Sequence, residues 1–209
     1  MKSNLYAITD SQLLPGDKLF YAVADALKGG CKLVQYRDKS SDHARRVFEA
    51  KSLLNLCNQH QAQLLINDDV ELAQEVGAQG VHLGQGDTNP VAARLILGSS
   101  AIIGVTCHDS LDLAQQAIKD SANYIAFGRF FQSNTKPDAR PAPISLISEA
   151  RAQFGKIPIA VIGGITLDNG KQLLDAGADM LAVCHSLFSA DDISAQAKKF
   201  IELSFQHQD

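Results

Sequence analysis

The chain has 209 residues, 45% hydrophobic and 20% charged, with 19 Lys and Arg against 23 Asp and Glu, a formal net charge of −4. That length fits one domain spanning residues 1–209 and buries about 70% of the unfolded surface, so no disulfide or metal staple is needed. Fifteen glycines and six prolines in a mixed alphabet exclude collagen-like and low-complexity chains. The acidic balance argues against nucleic acid as a partner. Cys31, Cys57, Cys107 and Cys184 include no CxxC pair, and the opening MKSNLYAITD lacks the apolar stretch of a signal peptide. No run of about 18 apolar residues occurs, so no membrane span is expected. A cytoplasmic protein with reduced thiols follows from these features.

In chain order, a brief apolar run near 4–8 precedes a helical stretch over Lys18–Lys28. A strand near 32–36 then leads to a helix over Asp42–His60, and a strand near 63–66 to a helix over Val70–Val76. The same alternation gives strands near 80–83, 101–105 and 123–127, with helices over Pro90–Leu97, Leu111–Asp120 and Ile144–Phe154. Strands near 158–162 and 180–184 are followed by helices over Asn169–Ala176 and Ile193–Phe205. Small-residue turns such as Gly29-Gly30 and Gly77-Ala78 separate helix from strand, as helix C-caps do. Continuous apolar strands alternating with helices mean a parallel sheet covered by helices. Eight such units, at about 25 residues each, predict a (β/α)8 TIM barrel near the short end of its size range. An open doubly wound sheet is the alternative, but no G-x-G-x-x-G follows the first strand. The longest irregular segment, Gly128 to Pro143, follows the sixth strand, where a functional lid is expected.

Active sites of this fold form where strands end in loops at the C-terminal rim. Those ends carry Gln35-Tyr36-Arg37-Asp38-Lys39, Asn67-Asp68-Asp69, His82 through Asp87, Thr106-Cys107-His108, Gly128-Arg129, Gly163-Gly164 and Cys184-His185-Ser186. Arg37, Lys39, Arg129 and Lys136 suit phosphate oxygens. Asp68 and Asp87 suit a hard cation such as Mg2+, which takes one or two carboxylates plus substrate phosphate. Gly163-Gly164 and the loop after the eighth strand form a second anion site, since small residues let backbone N–H groups approach phosphate. Two anion sites imply two phosphorylated substrates, or one substrate with two ends. Each piece also has a plainer reading. Gln35–Lys39 suits a solvated turn, Asn67-Asp68-Asp69 suits a helix N-cap, and Gly163-Gly164 suits close packing. His82 and His108 suit structural hydrogen bonds, and His43, His60 and His207 suit the surface.

VQYRDK at 34–39, IND at 66–68, GVHLGQ-x-D at 80–87, IGVTCH at 103–108, S-x-TK at 133–136 and IGGIT at 162–166 together resemble the thiamine-phosphate synthase family. The resemblance runs from Leu5 to Val183. It implies a transferase that condenses hydroxymethylpyrimidine diphosphate with thiazole phosphate, giving thiamine phosphate and diphosphate. By the family's pattern, Arg37, Lys39, Asn67 and Lys136 bind diphosphate, Asp68 and Asp87 hold Mg2+, and Gln35 contacts the pyrimidine. Thr106 lies beside the diphosphate, where the family often has serine. Arg37, Lys39, Lys136 and Thr106 are the catalytic set. Ser133, Thr135, the Gly164 backbone and His185 serve the thiazole phosphate. Two departures touch that last group. Arg129 and Gln132 stand where the common form is G-P-x-F-P-T, and His185 stands where it has serine. The thiazole tautomerase paralogue, an isomerase of the same fold, is the alternative; retention of the diphosphate residues favours the synthase. An indole-glycerol-phosphate synthase or an epimerase would lack the QYRDK and IND pair, and a non-catalytic metabolite-binding protein would form no product. Small phosphorylated substrates are the expected partners, with no membrane partner and with a homo-oligomer left open.

Overall fold

The structure is a computed structural model that describes residues 4–132 and 141–205. Eight parallel strands close a barrel in the order β1 to β8, each hydrogen-bonded to its sequence neighbour and β8 to β1. The strands are β1 (Leu5–Ile8), β2 (Leu33–Tyr36), β3 (Gln63–Asn67), β4 (Gly80–Leu83), β5 (Ile102–Thr106), β6 (Tyr124–Gly128), β7 (Ile159–Ile162) and β8 (Met180–Val183). The covering helices are α1 (Lys18–Lys28), α2 (His43–Gln59), α3 (Val70–Val76), α4 (Pro90–Leu97), α5 (Leu111–Lys119), α6 (Ser145–Phe154), α7 (Leu167–Asp175) and α9 (Ile193–Glu202). This is the (β/α)8 architecture expected from the alternation. One element is new. Residues after β8 that read as a loop form a short helix, α8 (His185–Phe188), one turn too brief to show periodicity. Helix α7 also begins earlier than its apolar pattern, because Thr166 and Asn169 make a reciprocal capping box.

Alternate strand residues point out of and into the barrel. Leu5, Val34, Leu64, Val81, Ile103 and Ile125 belong to the large cluster that the helices cover. Tyr6, Leu33, Leu65, Tyr124, Ala160 and Met180 form a separate cluster in the barrel interior. Interior packing needs small partners beside large ones. A Cβ at Gly104 would lie 1.9 Å from Tyr124 Cζ, so glycine there makes room for the phenol ring. The four cysteines are free, and burial pushes the Cys57 and Cys107 thiols up to about 12, which makes them inert packing groups.

Candidate active site

Strand β2 delivers its polar end in two directions. Gln35 points inward, 2% exposed, and its Nε2 donates to Tyr6 Oη at 2.6 Å. Tyr36 points outward and donates to Glu49 Oε2 of α2 at 2.6 Å. Asp38 is buried against Arg45, whose Nη2 lies 2.7 Å from Oδ2, and its Oδ1 accepts from the Ser40 amide at 2.7 Å. Burial raises the Asp38 carboxyl, but the Ser40 hydrogen bonds and the Arg45 charge outweigh it and hold the group below the usual range. Arg45 also pairs with Glu49 at 3.0 Å, so Asp38, Arg45, Glu49 and Tyr36 fasten the turn to α2. The residues on either side of Asp38, Arg37 and Lys39, keep partly exposed heads. Arg37 Nη1 lies 3.5 Å from Asp10 Oδ2, and Lys39 Nζ lies 3.2 Å from Asp68 Oδ2.

The Asn67-Asp68-Asp69 run divides its labour. Asp69 is the N-cap of α3, accepting from Leu72 N at 2.8 Å, and pairs with Arg46 at 2.8 Å. The capping reading therefore holds for Asp69. Asp68 adopts a left-handed φ of 64°, while its amide continues the β3–β4 ladder by donating to His82 O at 2.9 Å. Its carboxyl lies near enough to that of Asp87 to disfavour a second negative charge there. Asp87 Oδ2 accepts from Gly84 N at 2.7 Å, which closes the loop after β4. Burial, followed by the neighbouring Asp68 carboxyl, raises Asp87 above an ordinary carboxyl. Two carboxyls that raise one another's cost of ionising call for a proton or a cation near them, and Lys39 already pairs with Asp68. The donor set therefore fits a hard divalent ion. No cluster of three or more His, Cys, Asp or Glu occurs among the described residues, so any remaining ligands would be substrate oxygens and water. A concavity of about 380 Å3 opens on the α2 and α3 side of Asp68, lined by Lys39, Ser40, Arg46, Asn67, Asp68 and Glu71 among others.

At the end of β5, Thr106 Oγ1 lies 2.8 Å from His82 Nε2, and the Thr106 carbonyl accepts from Gln85 Nε2 at 2.5 Å. Strands β2 to β5 are consecutive barrel neighbours, so Gln35, Arg37, Lys39, Asn67, Asp68, Asp87 and Thr106 occupy one arc of the rim. Gly164 and His185 lie on the opposite arc, after β7 and β8. A Cβ at Gly164 would fall 2.4 Å from Gln132 O, and one at Gly163 would fall 2.3 Å from Arg129 Cβ, so this pair also serves close packing. Arg129 Nη1 donates to Phe131 O at 3.3 Å. His185 is exposed at the start of α8, with Nδ1 3.2 Å from Ser189 Oγ, and the Ser186 hydroxyl donates to Ile165 O at 2.5 Å. Ser133, Thr135 and Lys136 lie outside the described residues.

Sequence reasoning missed the interior chain behind this arc. Tyr6, Tyr124 and His82 connect Gln35 to Thr106 through hydrogen bonds across three strands. A tyrosine at an inward position facing a glycine one strand away was the available signal. His82 is the titratable member. Burial lowers it to about 4, outweighing the opposing pull of the Asp68 charge. Unfolding restores an imidazole near 6.5, so the unfolded chain binds a proton that the folded chain resists. The sign follows directly: the penalty is absent above about 6.5 and grows as pH falls toward 4. Between pH 7 and 4.5, in metal-free protein, the wild type is expected to lose about 2 kcal/mol more stability than His82→Gln. Urea titrations of both proteins check this, and parallel losses would show that His82 is not the group.

Fold and rim together define a (β/α)8 barrel with cationic and acidic groups gathered on one arc of its C-terminal rim. The thiamine monophosphate synthase family matches residues 5–187. The thiamine-phosphate synthase of Saccharophagus degradans strain 2-40 is 51% identical over all of this chain and 96% of its own. A thiamine phosphate pyrophosphorylase from Pyrococcus furiosus superposes with a TM-score of 0.87 at 30% identity, covering 98% of this chain and 96% of that one. One from Bacteroides thetaiotaomicron, at 17% identity and a TM-score of 0.70, covers 98% and 100% and shares the fold. The chain belongs to the thiamine-phosphate synthase family. The transferase expected from the sequence is borne out, and these relatives give no support to the isomerase.

Proposed function

We propose that this chain joins hydroxymethylpyrimidine diphosphate to thiazole phosphate in the cytoplasm, releasing diphosphate, with Mg2+ as cofactor. The observation that carries the reading is the 3.2 Å pair of Lys39 with Asp68, on the arc that also holds Arg37, Asn67, Asp87 and Thr106. Asp68 and Asp87 would hold the ion, which when bound offsets charge on the diphosphate. Arg37 and Lys39 supply fixed positive charge where the departing group gains negative charge, and Lys136 joins them by the family's pattern. Gln35, buried at the end of β2, orients the pyrimidine. The C–O bond to diphosphate breaks first, its electrons leave with the diphosphate, and the ring stabilises the resulting cation. The thiazole nitrogen then supplies the electron pair of the new C–N bond. That nitrogen carries no proton, so the site needs no general base. Ser133, Thr135 and the backbone of Gly164 bind the thiazole phosphate, with His185 beside them.

Purified protein given both substrates and Mg2+ should release thiamine phosphate and diphosphate in equal amounts. Thiamine phosphate is read by fluorescence after oxidation. Binding of both substrates without product would make this a binding protein. Rearrangement of the thiazole alone would make it an isomerase.

A further inference from the structure

The interior hydrogen-bond chain runs without a break from Gln35 to Thr106. Gln35 Nε2 donates to Tyr6 Oη at 2.6 Å, and Tyr6 Oη lies 2.8 Å from Tyr124 Oη, the acceptor that gives the buried Tyr6 proton a partner. A Tyr124 that accepts from Tyr6 has its own proton free for His82 Nδ1, also 2.8 Å away. The Tyr124 and His82 rings stack with centroids 5.6 Å apart and planes 23° from parallel, which holds the imidazole in one orientation. A neutral imidazole that accepts at Nδ1 carries its proton on Nε2, and Nε2 lies 2.8 Å from Thr106 Oγ1. A Thr106 oxygen that receives this proton turns its own hydroxyl proton away from His82.

We propose that Tyr6, Tyr124 and His82 are positioning residues that hold the Thr106 hydroxyl as an outward hydrogen-bond donor to the anionic end of the substrate. The proposal rests on the function above and adds a role for the barrel interior. A threonine hydroxyl alone rotates and can donate inward. A one-way chain removes that choice before substrate arrives, and such preorganisation favours charge that develops during reaction. The chain also begins at Gln35, so the residue facing one part of the substrate is wired to the residue facing another. The elements that carry it come from four different strands besides that of Gln35: β1, β4, β5 and β6.

The first test needs no substrate. Histidine-15N NMR of the wild type at pH 7, with His82 assigned by comparison with His82→Gln, should show the Nε2–H tautomer with Nδ1 accepting. An Nδ1–H tautomer would reverse the chain and overturn the proposal. The second test uses Tyr124→Phe, which keeps the ring over Gly104 and removes only the link. Its kcat should fall about tenfold with the KM for thiazole phosphate unchanged. In a Thr106→Val background the same substitution should cost less than twofold, because the donor it orients is gone. A full tenfold loss in that background would show a merely structural role and sink the idea. Should Tyr124→Phe not fold, the wild-type tautomer still decides. A wild type that forms no thiamine phosphate refutes the function above while leaving the tautomer result intact.

Discussion

Replacing Asp68 with Asn should lower the rate of thiamine phosphate formation by a hundredfold or more, about 3 kcal/mol of barrier, with the fold intact. The choice of substituent matters. Asp68 sits at φ 64°, a left-handed conformation that asparagine tolerates better than alanine. The amide that donates to His82 O is untouched, so the β3–β4 ladder keeps its last rung. Volume is nearly the same. What disappears is one of two negative charges, together with the ion pair to Lys39 at 3.2 Å. A carboxamide still coordinates through oxygen, but without charge, so affinity for a hard divalent ion drops. Steady-state rates over a range of Mg2+, alongside thermal unfolding, separate the effects. Activity within a few-fold of wild type at limiting Mg2+ would rule out a metal-holding role for Asp68. A large drop in melting temperature would move the explanation to the fold.

Much of the architecture is legible in the sequence because the chain punctuates itself. Asp42, Asp69, Ser110 and Asp192 cap helices with their side chains, and Gly77 ends α3 in the left-handed region. Between such marks the apolar runs are too short for anything but strands. The short α8 escapes this logic, since four residues hold no period. At the rim, residue type and strand end together place Gln35, Asn67, Asp68, Asp87 and Thr106 on one arc. They do not say which of two neighbouring aspartates caps a helix and which faces the rim. That choice depends on the left-handed turn at Asp68, a single dihedral angle that residue type alone does not reveal. Nor do they show that the carboxylate of Asp38, set among cations in QYRDK, turns away to meet Arg45. The Tyr6–Tyr124–His82 chain is invisible for a further reason. Its members lie up to 118 positions apart and meet only because barrel register brings their rings to one level.

That buried Asp38 latch sets the terms for Lys39, the second substitution with a large expected effect. The latch fixes the backbone between Arg37 and Lys39, while the lysine head stays in solvent apart from its contact with Asp68. Lys39→Ala removes a point charge near the place where diphosphate gains negative charge, and leaves the latch alone. The expected result is a fall in kcat/KM for the pyrimidine diphosphate on the order of a hundredfold. The KM for thiazole phosphate should move less than about threefold, because its proposed contacts lie after β6, β7 and β8. Lys39→Arg should recover part of the loss, since charge is restored while the compact ammonium is not. Losing Lys39 also leaves Asp68 and Asp87 facing each other without their nearby cation, so the variant should need Mg2+ more strongly than the wild type. Rates with each substrate varied in turn, at high and low Mg2+, measure all three effects. Equal losses toward both substrates would defeat the assignment of the two phosphate groups to opposite arcs of the rim.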